Sequence, residues 1–328
     1  MERRQIVVVT GASAGVGRAT VRAFAKAGAW LGLIARGTDG LFAARDEVEA
    51  LGGRALVLPC DVADAAAVEA AAERVERELG PIDVWVNDAM TSVFSPFLET
   101  TPEEFERVIQ VSLLGYVHGT RAALRHMVPR NRGHVVQVSS ALAFRSIPLQ
   151  SAYCTAKHGI VGFTEAVRTE LLHEGIDVHL TMVHLPAVDT PQFGWVKSRL
   201  PRRPQPVPPI FAPEVAARAI HRAAGMRRRD VTVGFSAWRA ILADKFAPRL
   251  TDHLAARFGW EGQMTDEPDH HDRPFNLWKP VPGDHGASGS FTDRAARSSP
   301  FTWLNLRRGW FAGAAALLGL GGLARRRT

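Results

Sequence analysis

Short, nearly uninterrupted apolar runs alternate along this chain with longer amphipathic stretches. Ile-Val-Val-Val at 6–9, Trp-Leu-Gly-Leu-Ile-Ala at 30–35 and Ala-Leu-Val-Leu at 55–58 are the first three. Ile-Asp-Val-Trp-Val at 82–86, His-Val-Val-Gln-Val at 134–138, Asp-Val-His-Leu-Thr-Met-Val at 177–183 and Arg-Asp-Val-Thr-Val at 229–233 follow. Their length and β-branched content predict strands buried on both faces of a parallel sheet. Between them lie helical patterns with readable ends. One runs to about Ala27. Asp64 caps an Ala- and Glu-rich helix that stops at Gly80-Pro81. Thr101-Pro102-Glu103-Glu104 is a capping box that opens a long helical stretch, interrupted by Gly115 and reaching about Met127. An Ala-rich helix opens near Ser151, and Ala212-Pro213-Glu214 starts another that ends about Ala224. Strands and helices in this alternation predict an α/β fold, a Rossmann-like doubly wound parallel sheet flanked by helices.

With 328 residues, 46% of them apolar and 22% charged, the chain has ample core for one domain with an extension. The pattern divides it into 1–245, an irregular Pro/Gly-rich extension at 246–305 and an apolar tail at 306–328. Cys60 and Cys154 are the only cysteines, without disulfide or metal-ligand spacing. Met1-Glu-Arg-Arg leads into a strand without a signal-peptide pattern, so a reducing cytoplasm is the expected compartment. The net charge of +7 comes with scattered arginine groups (202–203, 227–229, 325–327) and no nucleic-acid-binding signature, which predicts solvated faces rather than a nucleic-acid partner. The acidic stretch 261–272, with His270 and His271, lacks ligand spacing and is expected to be a solvated loop; no metal site is expected.

Candidate chemistry begins at the first strand. Thr10-Gly11-Ala-Ser13-Ala-Gly15-Val16-Gly17 follows it at once and leads into a helix. Glycines at such a turn let the backbone approach a pyrophosphate, and the helix N-terminus faces its charge. The second strand ends at Ala35-Arg36. An NAD site generally places a carboxylate there for the ribose 2′-hydroxyl; here a guanidinium is available for a 2′-phosphate, which predicts NADP(H) over NAD(H). The fifth strand runs into Ser139-Ser140, and the helix after it carries Tyr153 and Lys157, four apart and therefore on one face. A hydroxyl, a phenol and an ammonium at the edge of such a crevice suit proton transfer coupled to hydride transfer. The pKa of a free tyrosine, about 10, is too high for it to act as a base near neutrality, and a neighbouring ammonium favours the phenolate.

These residues resemble the short-chain dehydrogenase/reductase family in its NAD(P)-dependent form, over residues 5 to about 240. The likeness rests on Thr10-Gly11-x-x-x-Gly15-x-Gly17, Asp61, Asn87-x-Ala89, Ser140, Tyr153-x-x-x-Lys157 and Pro186-x-x-x-Thr190. Family spacing, thirteen residues from serine to tyrosine, selects Ser140 over Ser139. The resemblance implies Tyr153 as acid/base, Lys157 on the nicotinamide ribose and lowering the tyrosine pKa, and Ser140 orienting substrate. It implies Asp61 and Asn87 near the adenine and its ribose, with Val62 and Ala89 beside them, and Thr190 on the nicotinamide carboxamide. Ser112 stands at the family's fourth catalytic position, normally an asparagine that holds a relay water behind the lysine. The shorter hydroxyl implies a slower or rearranged relay. Met90 and Ala187 replace usual glycines, which implies a reshaped, apolar substrate cavity.

Residues 192–211 hold Pro201, Pro204, Pro206, Pro208 and Pro209 and are expected to form a stiff extended flap. Its Phe193, Trp195 and Ile210 are read equally as pocket lining or as surface anchors. Residues 309–324 form sixteen uncharged positions between Arg307-Arg308 and Arg325–327. As a helix of about 24 Å this run is short for a bilayer core of roughly 30 Å. An interfacial membrane anchor and packing on protein are the two readings. The expected function is hydride transfer between NADP(H) and an alcohol or carbonyl of a hydrophobic small molecule. The alternative is a cofactor-binding regulatory or scaffold protein without turnover. A homodimer or homotetramer is implied by the family alone.

Overall fold

The computed structural model describes residues 4–270 and 272–307. Seven parallel strands form the central sheet: β1 (Ile6–Thr10), β2 (Trp30–Ala35), β3 (Ala55–Pro59), β4 (Val84–Asn87), β5 (Gly133–Ser140), β6 (Val178–Leu185) and β7 (Asp230–Thr232). Their order is β7-β6-β5-β4-β1-β2-β3. The strand order reverses at β1, so the carboxyl ends of β1 and β4 open a crevice between them.

Alternation along β1 divides the core. Val7 and Val9 pack with α1 (Gly15–Lys26), α2 (Thr38–Ala50) and the helix Pro213–Ala223 on one face, through Phe24, Leu41 and Ile220. Ile6 and Val8 face the other side, where α3 (Ala65–Glu78) contributes Val68 and Val75. The predicted caps are present: the Asp64 carboxylate accepts from the Ala67 N–H, and Thr101 and Glu104 close a reciprocal box at the start of α4 (Pro102–Ile109).

The stretch expected to be interrupted at Gly115 continues through one π-turn, Gln110–Leu114, into α5 (Gly115–Met127). Gly115 serves packing instead, since a Cβ there would lie 2.6 Å from the Val62 side chain. The extended flap is also broken up. A short helix, Gln192–Trp195, precedes two short strands, Lys197–Ser198 beside Val93–Phe94 and Arg202–Pro204. Glu104 anchors this segment through Arg199 and Lys197.

The chain beyond 245 folds back onto the domain. Met264–Pro268, expected within a solvated loop, is a strand paired antiparallel with Arg202–Pro204. Arg202 pairs with Glu261 just before this strand, and Arg203 with Glu267 on it. Leu277 is fully buried with Val93, Val108 and Ala152, and Phe291 packs with Phe94 and Phe193. No described helix is long and apolar enough to cross a membrane. The apolar run 309–324 lies outside the described residues.

Behind the crevice, Asn87 joins β4, β5 and α5. Its amide accepts from Trp85 Nε1 (2.8 Å) and donates to Thr120 Oγ1 (3.1 Å) and Gln137 Oε1 (2.9 Å). A Cβ on Gly119 would stand 2.2 Å from the Asn87 amide oxygen. Gly119→Ala is therefore expected to lower stability by about 1–3 kcal/mol, read as a reduced midpoint in thermal or urea denaturation; an unchanged midpoint would contradict this packing.

Candidate active site

The crevice is a cavity of about 510 Å³, within the size range of small-molecule and cofactor sites. At one end it meets the turn after β1. Gly11 and Gly15 have φ of 74° and 59°, and a Cβ on Gly17 would lie 2.1 Å from the Gly11 carbonyl. Only glycine leaves this turn open for a closely approaching ligand. Gly11, Ser13, Gly15 and Val16 face the cavity, and the Thr190 side chain lies against Gly15. Thr10 has a bracing role: its Oγ1 accepts the N–H groups of Asp88 and Ala89 (3.0 and 3.1 Å), joining the ends of β1 and β4. Ala89 and Pro186 are at the wall. Asn87 is completely buried behind the sheet and spends its amide there, so its side chain does not face the adenine end as expected.

Arg36, Asp61 and Val62 line the far side. The Asp61 carboxylate accepts from the Ala63 N–H (3.0 Å) and pairs with Arg107. Burial would raise this carboxyl, but the Ala63 N–H and Arg107 hold it below its ordinary value. Arg36 donates to the backbone carbonyls of Asn276, Leu277 (3.4 Å) and Trp278 (3.1 Å). Burial, and to a lesser degree Arg107, lowers its pKa.

At the other end stands α6 (Ser151–His173), entered from β5 through the short turn Ala141–Ala143. Ser140 Oγ accepts the Leu142 N–H (3.1 Å) and hydrogen-bonds the Tyr153 phenol; the neighbouring Ser139 hydroxyl has no hydrogen-bond partner among the described residues. Lys157, one turn beyond Tyr153, is 3% exposed. Its Nζ donates to the Val138 carbonyl (2.9 Å) and to Tyr116 Oη (3.1 Å), and lies 5.5 Å from the Tyr153 ring centre. Tyr116 in turn donates to the Val138 carbonyl (2.8 Å). Burial pushes the Lys157 ammonium down and the nearby Asp88 carboxyl up, each opposed by the other's charge. Burial likewise raises the Tyr153 phenol, with the Cys154 thiol adding to it and the Ser140 hydrogen bond opposing it.

The family model described as short chain dehydrogenase matches residues 5–199. The chain belongs to the short-chain dehydrogenase family. Its similarity to the uncharacterized oxidoreductase YxnA of Bacillus subtilis is 34% identity over 266 residues, 80% of this chain and 75% of that one. Dehydrogenase/reductase SDR family member 7B of Bos taurus is 35% identical over 182 residues, 54% and 56% of the two chains. Among solved structures, a short-chain dehydrogenase from Streptomyces avermitilis superposes with a TM-score of 0.66 at 28% identity, covering 79% of this chain and 99% of that one. An alcohol dehydrogenase from Thermococcus sibiricus complexed with 5-hydroxy-NADP gives 0.61 at 28% identity, covering 70% and 96%.

Against the family pattern, the relay position differs most. The Ser112 hydroxyl, in the π-turn, donates to the Thr91 carbonyl (2.8 Å) and accepts the Thr91 N–H (3.0 Å). Both bonds go to Thr91, and Tyr116, one helical turn on, is the residue of this helix that meets the lysine. Sequence reasoning missed Tyr116, Asp88 and Arg107. A signal for the first was present: Tyr116 and Tyr153 are the only two tyrosines of the chain. The other groups come together only through the fold.

Tyr116→Phe removes an acceptor from the charged lysine and keeps the ring, so the Lys157 pKa is expected to fall. Ser112→Ala should leave it in place. Lysine-selective carbon-13 labelling with an NMR pH titration checks both, and equal shifts in the two variants would contradict the assignment.

Proposed function

We propose that this short-chain dehydrogenase interconverts an alcohol and a carbonyl on an apolar small molecule, using NADP(H). The observation that carries the reading is one cavity that joins the glycine turn to Ser140, Tyr153 and Lys157. The glycine cradle and the helix N-terminus suit a dinucleotide pyrophosphate. When bound, the nicotinamide cofactor supplies or accepts the hydride.

In the reducing direction, Ser140 holds the substrate oxygen beside the phenol. Tyr153 Oη gives its proton to that oxygen as the carbon is reduced, and the Lys157 ammonium stabilises the phenolate left behind. In the oxidising direction the phenolate takes the proton. Burial alone works against this phenolate, so the lysine charge is what makes proton release accessible. Met90, Phe94, Leu142, Ile147, Trp195 and Val207 border the cavity and favour an apolar substrate.

The preference for NADP(H) rests on Arg36 at the end of β2. Asp61, the acid nearest to it in the cavity, is already paired with Arg107. A 2′-phosphate offers Arg36 a charge-assisted pair, stronger than its bonds to neutral carbonyls. The Thermococcus sibiricus structure, with its NADP derivative, supports the same choice. Assembly as a homodimer or homotetramer belongs to this reading through the family.

Two outcomes test it. Tyr153→Phe should lower turnover of NADPH with a panel of apolar ketones and aldehydes by about 10²–10⁴-fold while cofactor binding persists. Wild-type protein that binds cofactor but turns over nothing on the panel would support a scaffold role instead. In fluorescence titrations NADPH should bind at least about tenfold tighter than NADH, a difference of about 1.4 kcal/mol; equal affinities would refute the preference.

A further inference from the structure

Residues 276–289 of the extension run along the cavity, with Asn276, Pro280, Val281, Gly283 and His285 in its lining. At the β2–β3 end the carbonyls of Asn276, Leu277 and Trp278 take the Arg36 guanidinium, and Arg107 Nε donates to Leu277 O (3.1 Å). Leu277 itself is the buried peg of this end. Next, Pro280 covers Gly37, and the Gly283 N–H donates to Asp39 (2.7 Å). Asp284 reaches the buried Arg18 at 3.5 Å. At the glycine turn the Gly15 N–H donates to the Gly286 carbonyl at 3.0 Å. The His285 ring meets Trp195 edge-on at 4.4 Å. Beyond the turn, Gly289 lies against Asp189 and Thr190, and the buried Asp189 carboxylate accepts from the Phe291 N–H and the Thr292 hydroxyl.

We propose that residues 276–289 are an intramolecular strap that closes the dinucleotide crevice and swings aside when the cofactor enters. This rests on the dinucleotide reading above and goes beyond it. The strap and the cofactor compete for the same groups. The Arg36 guanidinium and the Gly15 N–H at the start of α1 are donors suited to phosphate oxygens. Both donate to strap carbonyls, and the partial negative charge of a carbonyl oxygen is a poor neighbour for a phosphate. The strap and the phosphates therefore use the same donors, one set at a time. Charged oxygens make the stronger bonds, so the cofactor displaces the strap at equilibrium. The cost falls on the apparent affinity as well as on the rate of entry, because the binding-competent state is the minor one. The anchor beyond the strap, Asp189 with Phe291 and Thr292, stays attached while the strap, Leu277 included, moves.

The strap can be locked. A Cβ on Gly37 would lie 3.3 Å from the Pro280 Cβ, close to the 3.5–4.5 Å of a disulfide. Gly37 has φ −81°, ordinary for cysteine. The native Cys60 thiol is pushed up to about 12 by burial and by Asp61, which leaves it inert to exchange. The full-length double variant Gly37→Cys/Pro280→Cys, oxidised and then reduced, is tested for NADPH association by stopped-flow fluorescence, with no substrate present. The oxidised protein should associate at least about tenfold more slowly than wild type, and reduction should restore the wild-type rate. Equal rates in oxidised and reduced protein would overturn the strap while leaving the dinucleotide reading intact. Wild-type protein that does not bind NADPH at all would sink that reading and the strap with it. Where the reduced double variant itself binds poorly, Leu277→Ala decides: a loosened strap should admit NADPH faster than wild type, and an equal or slower rate overturns the proposal.

Discussion

A buried ammonium organises this site. Lys157 has lost nearly all contact with water, and an isolated charge in that position would cost several kcal/mol or more. The structure meets the demand from three directions: the Val138 carbonyl from β5, the Tyr116 hydroxyl from α5 and the Asp88 charge from the end of β4. Each of these elements is held in place by something else the fold needs. Thr10 fixes the backbone at Asp88, the Asn87 network fixes α5 against the sheet, and β5 runs two residues on from Val138 to Ser140. The geometry that satisfies the lysine is thus the same geometry that sets the phenol and the serine hydroxyl at one edge of the crevice.

Parts of this were legible in the chain and parts were not, for physical reasons. Strands buried on both faces must be apolar along their length, so all seven were visible as runs, with ends within two residues of the observed strands. At 177–183 the run stops early because β6 carries on through His184 and Leu185, where the His184 Nε2 pairs with Asp230 (3.0 Å). Backbone devices were also readable: the glycine turn, the Asp64 cap and the Thr101 box depend on residues adjacent in sequence. Side-chain partnerships across elements were not. Ser112 occupies the expected position but is captured by Thr91 in a π-turn, a helix irregularity with no clear sequence signature. Tyr116 takes over through its place on the next turn. Asn87 was assigned by position to the cavity, whereas its amide is the bolt behind it.

The extension was the least legible segment, since Pro- and Gly-rich chain has neither strand nor helix period. Its order comes from partners far away in sequence: Arg36, Arg107, Asp189 and the N–H of Gly15. Short, specific anchors placed along a single path can hold such a segment without any regular structure of its own. The outcome is a dehydrogenase domain in which the cofactor crevice has a cover encoded after the fold proper.

In the proposed reaction, a nicotinamide dinucleotide whose pyrophosphate rests on Gly11–Gly17 delivers hydride to a carbon held beside Tyr153. The most direct measurement is isotopic. Wild-type protein is incubated with NADPH dideuterated at C4 and a panel of apolar ketones and aldehydes, and the alcohols are analysed by mass spectrometry. The account predicts an alcohol carrying one deuterium on the carbinol carbon. Alcohol formed without that label, or no alcohol from any member of the panel while the cofactor is bound, would contradict it.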